Sequence, residues 1–119
     1  EDTSTYFKKE ITMSNPVTIL APIKLAQGVT EAELLVASDT FQKEFVDHEA
    51  CILRRELVKK SDTEYLDIVQ FSDEQSVYQI MEKEQNHPVC QAFFALMSFS
   101  EEELASPLPI YQSLTTHTA

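Results

Sequence analysis

The chain has 119 residues, the size of one ordinary domain, and its 43% hydrophobic and 24% charged side chains are those of a globular protein, not a disordered one. Nine Lys and Arg against 20 Asp and Glu give a net charge of −11. Such a surface repels phosphate backbones and anionic bilayers, so neither nucleic acid nor a membrane is an expected partner. With a mean hydropathy of −0.22, the longest apolar stretch is residues 17–25, broken by Thr18, Pro22 and Lys24, which is too short for a membrane span.

No charged segment followed by an apolar one opens the chain, so a cytoplasmic protein is expected, with a processed exported chain as the alternative. Residues 1–15 are polar and aperiodic and read as an arm. The first twelve are native, processed or an added extension before Met13. Residues 16–115 then read as one domain.

Residues 17–25 alternate, with Val17, Ile19, Ala21, Ile23 and Leu25 on one face, the pattern of a strand. Gly28 is the only glycine, so no Gly-rich phosphate loop exists. Thr30 and Glu33 fit a capping box, and Val29 and Leu34 stand where a hydrophobic staple packs. The helix they open carries Leu34, Ser38, Phe41, Phe45 and His48 along one stripe.

Residues 51–59 and 63–71 read as a hairpin closed by Lys60, Ser61 and Asp62. The register that places Arg55 opposite Asp67, with Leu57 opposite Tyr65, Leu53 opposite Val69 and Cys51 opposite Phe71, avoids facing Glu56 with Asp67. Ser72 and Gln75 suit the start of a second helix, buried through Val77, Ile80, Met81 and Tyr78. His87-Pro88 breaks it and opens a third, striped by Val89, Phe93, Leu96 and Met97. Glu101, Glu102 and Glu103 form a solvated stretch. Residues 108–114 read as a last strand, kept to an edge by Pro107 and Pro109.

The order β-α-β-β-α-(α)-β defines an α+β, ferredoxin-like fold with a mainly antiparallel four-stranded sheet. Right-handed crossovers put the first and third strands in its centre. Helices cover one face only, yet the second and third strands are apolar on both, with Ile52, Val58, Leu66 and Ile68 turned away from Leu53, Leu57, Tyr65, Val69 and Phe71. A second copy is the simplest cover, so a homodimer is expected.

Residues 54–57 (Arg-Arg-Glu-Leu), residues 67–74 (Asp-Ile-Val-Gln-Phe-Ser-Asp-Glu) and the Pro88, Gln91, Ala92, Phe93, Phe94 helix resemble the antibiotic biosynthesis monooxygenase-like proteins of the dimeric α/β-barrel superfamily. The resemblance runs over about residues 17–114. It implies a barrel made by two sheets, a pocket between each sheet and its helices, and a cofactor-independent, monooxygenase-like activity on a small apolar or aromatic substrate. A non-catalytic homodimer that binds a small molecule or serves as an interaction module is the alternative. The chain departs from the family in having Phe71 where many members have Trp, no Trp anywhere, and no His between residues 77 and 85. The missing Trp tells against the haem-degrading branch.

The candidate catalytic residues are His48, Arg55, Asp67 and His87. His48 and His87 suit a general base. Arg55 and Asp67 suit an oxyanion clamp. Each also has a structural reading: a helix-dipole partner for His48, an N-cap for His87 and a satisfied buried ion pair for Arg55 and Asp67, the last being favoured. Phe41, Phe45, Tyr65, Tyr78 and Phe93 are the candidate substrate-binding residues, or plain core. No metal or flavin motif is visible, so no cofactor is expected. Cys51 and Cys90, too isolated for zinc, read as buried free thiols or a single disulfide.

Overall fold

The structure, a computed structural model, describes residues 15–117, so the expected arm, apart from Asn15, lies outside the described residues. The elements are β1 (Val17–Lys24), α1 (Glu31–Glu44), a 3-10 turn (Val46–His48), β2 (Ile52–Lys59), β3 (Glu64–Phe71), α2 (Glu74–Gln85), α3 (Pro88–Phe94), α4 (Glu101–Ala105) and β4 (Ile110–Gln112). The sheet runs β2-β3-β1-β4 with every neighbouring pair antiparallel. This is the ferredoxin-like arrangement, with β1 and β3 central and the hairpin strand β2 at an edge. β4 is shorter than the sequence suggests, because Pro107 and Pro109 delay its pairing with β1 until Ile110.

Period-two burial on β1 hides Val17, Ile19 and Ile23 under the helices. They meet Tyr65 and Phe71 of β3, Leu34 and Phe41 of α1, Val77 and Ile80 of α2, and Phe93 of α3 in one core. Each such side chain contributes about 1.5–3 kcal/mol on leaving water. α1 starts at the expected box: Thr30 N donates to Glu33 Oε1 at 2.9 Å and Glu33 N to Thr30 Oγ1 at 3.2 Å.

Three local expectations are corrected. α1 ends at Glu44 and the 3-10 turn changes the helical phase, so His48 leaves the stripe of Leu34, Ser38, Phe41 and Phe45 and faces solvent. In the hairpin, Leu57 pairs with Asp67 and Arg55 with Val69, two positions from the expected register on β3. The loop also takes in Thr63, since Ser61 Oγ accepts from Glu64 N at 3.1 Å and Glu64 O accepts from Lys60 N at 2.8 Å. A bulge at Leu53 then brings Ile52, not Cys51, opposite Phe71. Finally, Asp73 caps α2 in place of Ser72, whose N–H is used in a bond to Cys51 O at 2.8 Å.

α4 replaces the solvated stretch with one exposed turn of helix. Its capping box is Ser100 with Glu103, the same sequence pattern that opens α1. None of the described helices is long and apolar enough to cross a membrane.

Candidate functional site

A partly enclosed cavity of about 160 Å³ lies between the sheet and the helices. Its floor is Ile19 and Ala21 of β1 with Val69 and Phe71 of β3. Phe41 of α1 and Phe93 and Phe94 of α3 form one wall. Val77, Tyr78, Ile80, Met81 and Glu84 of α2 form the other, and Pro107, Leu108 and Ile110 close the C-terminal side. Among the described residues, the only ionisable groups besides Tyr78 that line it are Arg55, Asp67 and Glu84. Cavities of about 150 Å³ hold one benzene ring.

Arg55 and Asp67 meet diagonally across β2 and β3. The Arg55 Nε donates to Asp67 Oδ1 at 3.1 Å and Oδ2 at 3.0 Å, with side chains 6% and 8% exposed. The rest of the guanidinium turns toward α1. Nη1 donates to Gln42 Oε1 at 3.1 Å and Ser38 O at 3.4 Å, and Nη2 donates to Ser38 Oγ. The plane lies over Phe41 at 4.9 Å and near Phe93 at 5.5 Å. Ser38, on the apolar stripe, and Gln42 beside it are therefore the helix's acceptors for this buried cation. Burial lifts the Asp67 carboxyl above its ordinary value, and the charge of Arg55 and its hydrogen bonds offset part of the rise.

Glu84 is the functional candidate that the sequence reading passes over. It stands one turn beyond Ile80 and two beyond Val77, so it shares their inward face of α2. Among the described residues its carboxylate makes no hydrogen bond or ion pair. Burial, reinforced by the neighbouring Asp67 charge and only partly relieved by Arg55, pushes its pKa up to about 7. The available signal is the periodicity: the i, i+3, i+7 spacing from Val77 places an acid on an apolar stripe.

The remaining candidates divide cleanly. Phe41 and Phe93 line the cavity and stack at 4.6 Å. Tyr78 stands at its rim, 55% exposed, its hydroxyl donating to Glu74 Oε2 at 3.3 Å. Phe45 is core behind Phe41, stacked at 5.7 Å, and does not reach the cavity. Tyr65 points to the other end of the sheet, where its hydroxyl donates to Glu31 Oε1 at 3.0 Å. His87 caps α3 by accepting from Val89 N through Nδ1 at 3.2 Å and sits edge-on to Phe45 at 5.2 Å. Neither His87 nor the exposed His48 lines the cavity. Cys51 and Cys90 are free thiols, and burial with the nearby Glu84 and Glu49 charges pushes Cys90 up to about 12. Among the described residues no group of three or more His, Cys, Asp or Glu is placed to hold a metal ion.

Fold and site together define an α+β sheet-and-helix domain with an apolar, ring-sized cavity that holds one acid without a partner among the described residues. The chain shares its fold with SnoaB, a cofactor-independent oxygenase from Streptomyces nogalater, at a TM-score of 0.65 and 16% identity, covering 87% of this chain and 97% of that one. A point mutant of SnoaB matches over the same shares at 0.64. A Caulobacter crescentus CB15 protein, provisionally assigned as an antibiotic biosynthesis monooxygenase, matches at a TM-score of 0.55 and 12% identity over 93% of this chain and 99% of that one. No family model matches the sequence. No curated protein matches it either. The fold is thus the ferredoxin-like fold of the antibiotic biosynthesis monooxygenase-like proteins.

Proposed function

We propose that this protein is a cofactor-independent, monooxygenase-like homodimer that takes a small aromatic molecule between its sheet and its helices. The observation that carries the reading is the apolar cavity lined by Phe41, Phe71 and Phe93 and entered by one ionisable group, Glu84, that lacks a protein partner among the described residues. Apolar walls with few polar groups are the usual make-up of a small-molecule site. The SnoaB likeness supports the reaction class at the level of fold. Oxygen uptake with a panel of single-ring hydroquinones tests it. Saturable, enzyme-dependent consumption supports oxygenation, and no consumption by a ligand that binds refutes it.

One observation favours the non-catalytic alternative. Arg55 and Asp67 are engaged by each other and by α1, and no histidine among the described residues lines the cavity. Ligand binding without oxygen consumption is the outcome this second reading expects.

Support for the homodimer comes from the sheet face opposite the core. Leu20, Val58, Leu66 and Ile68 are only half buried there, and Tyr111 is 51% exposed. Pairing two such faces removes both from water. The substitution Ile68→Asp places a charge in that interface, and sedimentation velocity should show a dimer for the natural chain and a monomer for the variant. A natural chain that sediments as a monomer at micromolar concentration rules the dimer out.

A further inference from the structure

The polar groups around the cavity differ in what they are free to do. Every nitrogen of the Arg55 guanidinium donates to a protein acceptor, and both oxygens of Asp67 accept from Arg55. Tyr78 spends its hydroxyl on Glu74. Glu84 makes no such bond among the described residues, and it sits on the wall of α2 that faces the aromatic rings of Phe41 and Phe93. A carboxylate in an apolar wall costs stability unless something donates to it. The volume of the cavity, about 160 Å³, admits one substituted benzene ring.

We propose that Glu84 is the ligand-recognition group of this cavity and selects a single-ring phenol by accepting its hydroxyl hydrogen. This rests on the reading of the cavity as an aromatic site and adds the class of ligand and the residue that reads it. The proton stays on the ligand oxygen, because a phenol is a weaker acid than the Glu84 carboxyl, and the contact is a charge-assisted hydrogen bond to the carboxylate. Flat molecules with an anionic substituent are disfavoured, because Glu84 presents its negative charge to the cavity while the charge of Asp67 is paired with Arg55.

Four groups besides Glu84 feel or shape this charge. Asp67 and Arg55 face it from the sheet, and Cys90 faces it from α3. On α2 itself, Lys83 is turned aside to Glu49 at 2.8 Å. Asp67 is the rival acceptor, so the test must separate the two acids.

Calorimetric titration of the natural chain and Glu84→Gln with 4-methylphenol and its hydroxyl-free isostere p-xylene, at pH 8 and pH 5, does so. In the natural chain, the affinity ratio of 4-methylphenol to p-xylene should fall about tenfold from pH 8 to pH 5, as the charge-assisted bond is lost. In Glu84→Gln the ratio should not change with pH, while p-xylene binds as in the natural chain. A pH-dependent ratio that persists in Glu84→Gln assigns the hydroxyl to Asp67 and overturns the proposal. A ratio that is independent of pH in the natural chain overturns it without recourse to the variant. If both ligands bind with an unmoving ratio, only the role of Glu84 fails. If neither binds, the aromatic-site reading fails with it.

Discussion

Replacing Glu84 by Gln should stabilise the protein in alkaline solution and leave it unchanged in acid. Burial raises the Glu84 pKa from 4.5 to about 7 in the folded chain. A group whose pKa is raised by folding favours the folded state most below its unfolded value, and that advantage is lost as the pH climbs through the folded value. The window is therefore from about pH 4.5 to just above pH 7, and the loss across it is about 3 kcal/mol. Gln keeps the shape and removes the ionisation. Urea unfolding, followed by far-ultraviolet circular dichroism at several pH values, measures the difference between the two proteins. Near pH 4.5 the midpoints should coincide, and by pH 8 the variant should be more stable by about 3 kcal/mol. Asp67 carries a shift of the same sign, and the exposed acids Glu31, Asp73 and Glu103 carry shifts of the opposite sign, but all are common to both proteins. A variant that is less stable than the natural chain at pH 8, or equally stable there, would show that the Glu84 carboxylate is well solvated or partnered, and the reasoning would fall.

The other predictions concern the surroundings of that acid. Asp67→Ala strands the Arg55 charge in a site where its side chain is 6% exposed, and should cost about 3–5 kcal/mol in urea titration; Arg55→Met with Asp67→Leu should recover most of it. Phe93→Ala removes a ring that is 1% exposed and stacked on Phe41, for a loss of about 3–5 kcal/mol and a larger cavity that admits p-xylene more readily. Thr30→Ala deletes the α1 cap and should cost about 1 kcal/mol. Alkylation by iodoacetamide at pH 8, read by mass spectrometry, should label the half-buried Cys51 and spare Cys90, whose thiol is buried and held protonated up to about 12. Equal labelling of the folded protein contradicts that account.

What the sequence made legible was what repeats or caps. Alternation through Val17, Ile19 and Ile23 marked β1, and the Thr30 and Glu33 pair marked the start of α1, because both signals are local. The sheet order followed from handedness once the elements were in sequence. The hairpin register did not follow, since keeping Glu56 away from Asp67 set Arg55 directly opposite that acid. An arginine is long enough to reach its partner diagonally, and the bonds around Ser61 and Glu64 decided the turn. The ion pair survived the error because a slip of two positions keeps both side chains on the same face.

The site was legible in its aromatic walls and in the Arg55–Asp67 pair. It was not legible in its histidines, because the phase change after Phe45 moves His48 outward and the start of α3 absorbs His87 as a cap. Glu84 escaped notice for a physical reason. A glutamate in a helix is ordinarily solvated, and only its step from Val77 and Ile80 marks it as inward. The half-buried residue least expected to face inward is thus the one that the cavity leaves without a partner among the described residues.

The most direct test of the aromatic-site reading is a two-dimensional amide titration of the isotopically labelled chain with 4-methylphenol at pH 8. The account predicts saturable shifts at Ala21, Val69, Phe71, Ile80, Glu84 and Phe93, the residues that surround the cavity. Shifts that fail to saturate, or that gather elsewhere while these residues stay still, would contradict it.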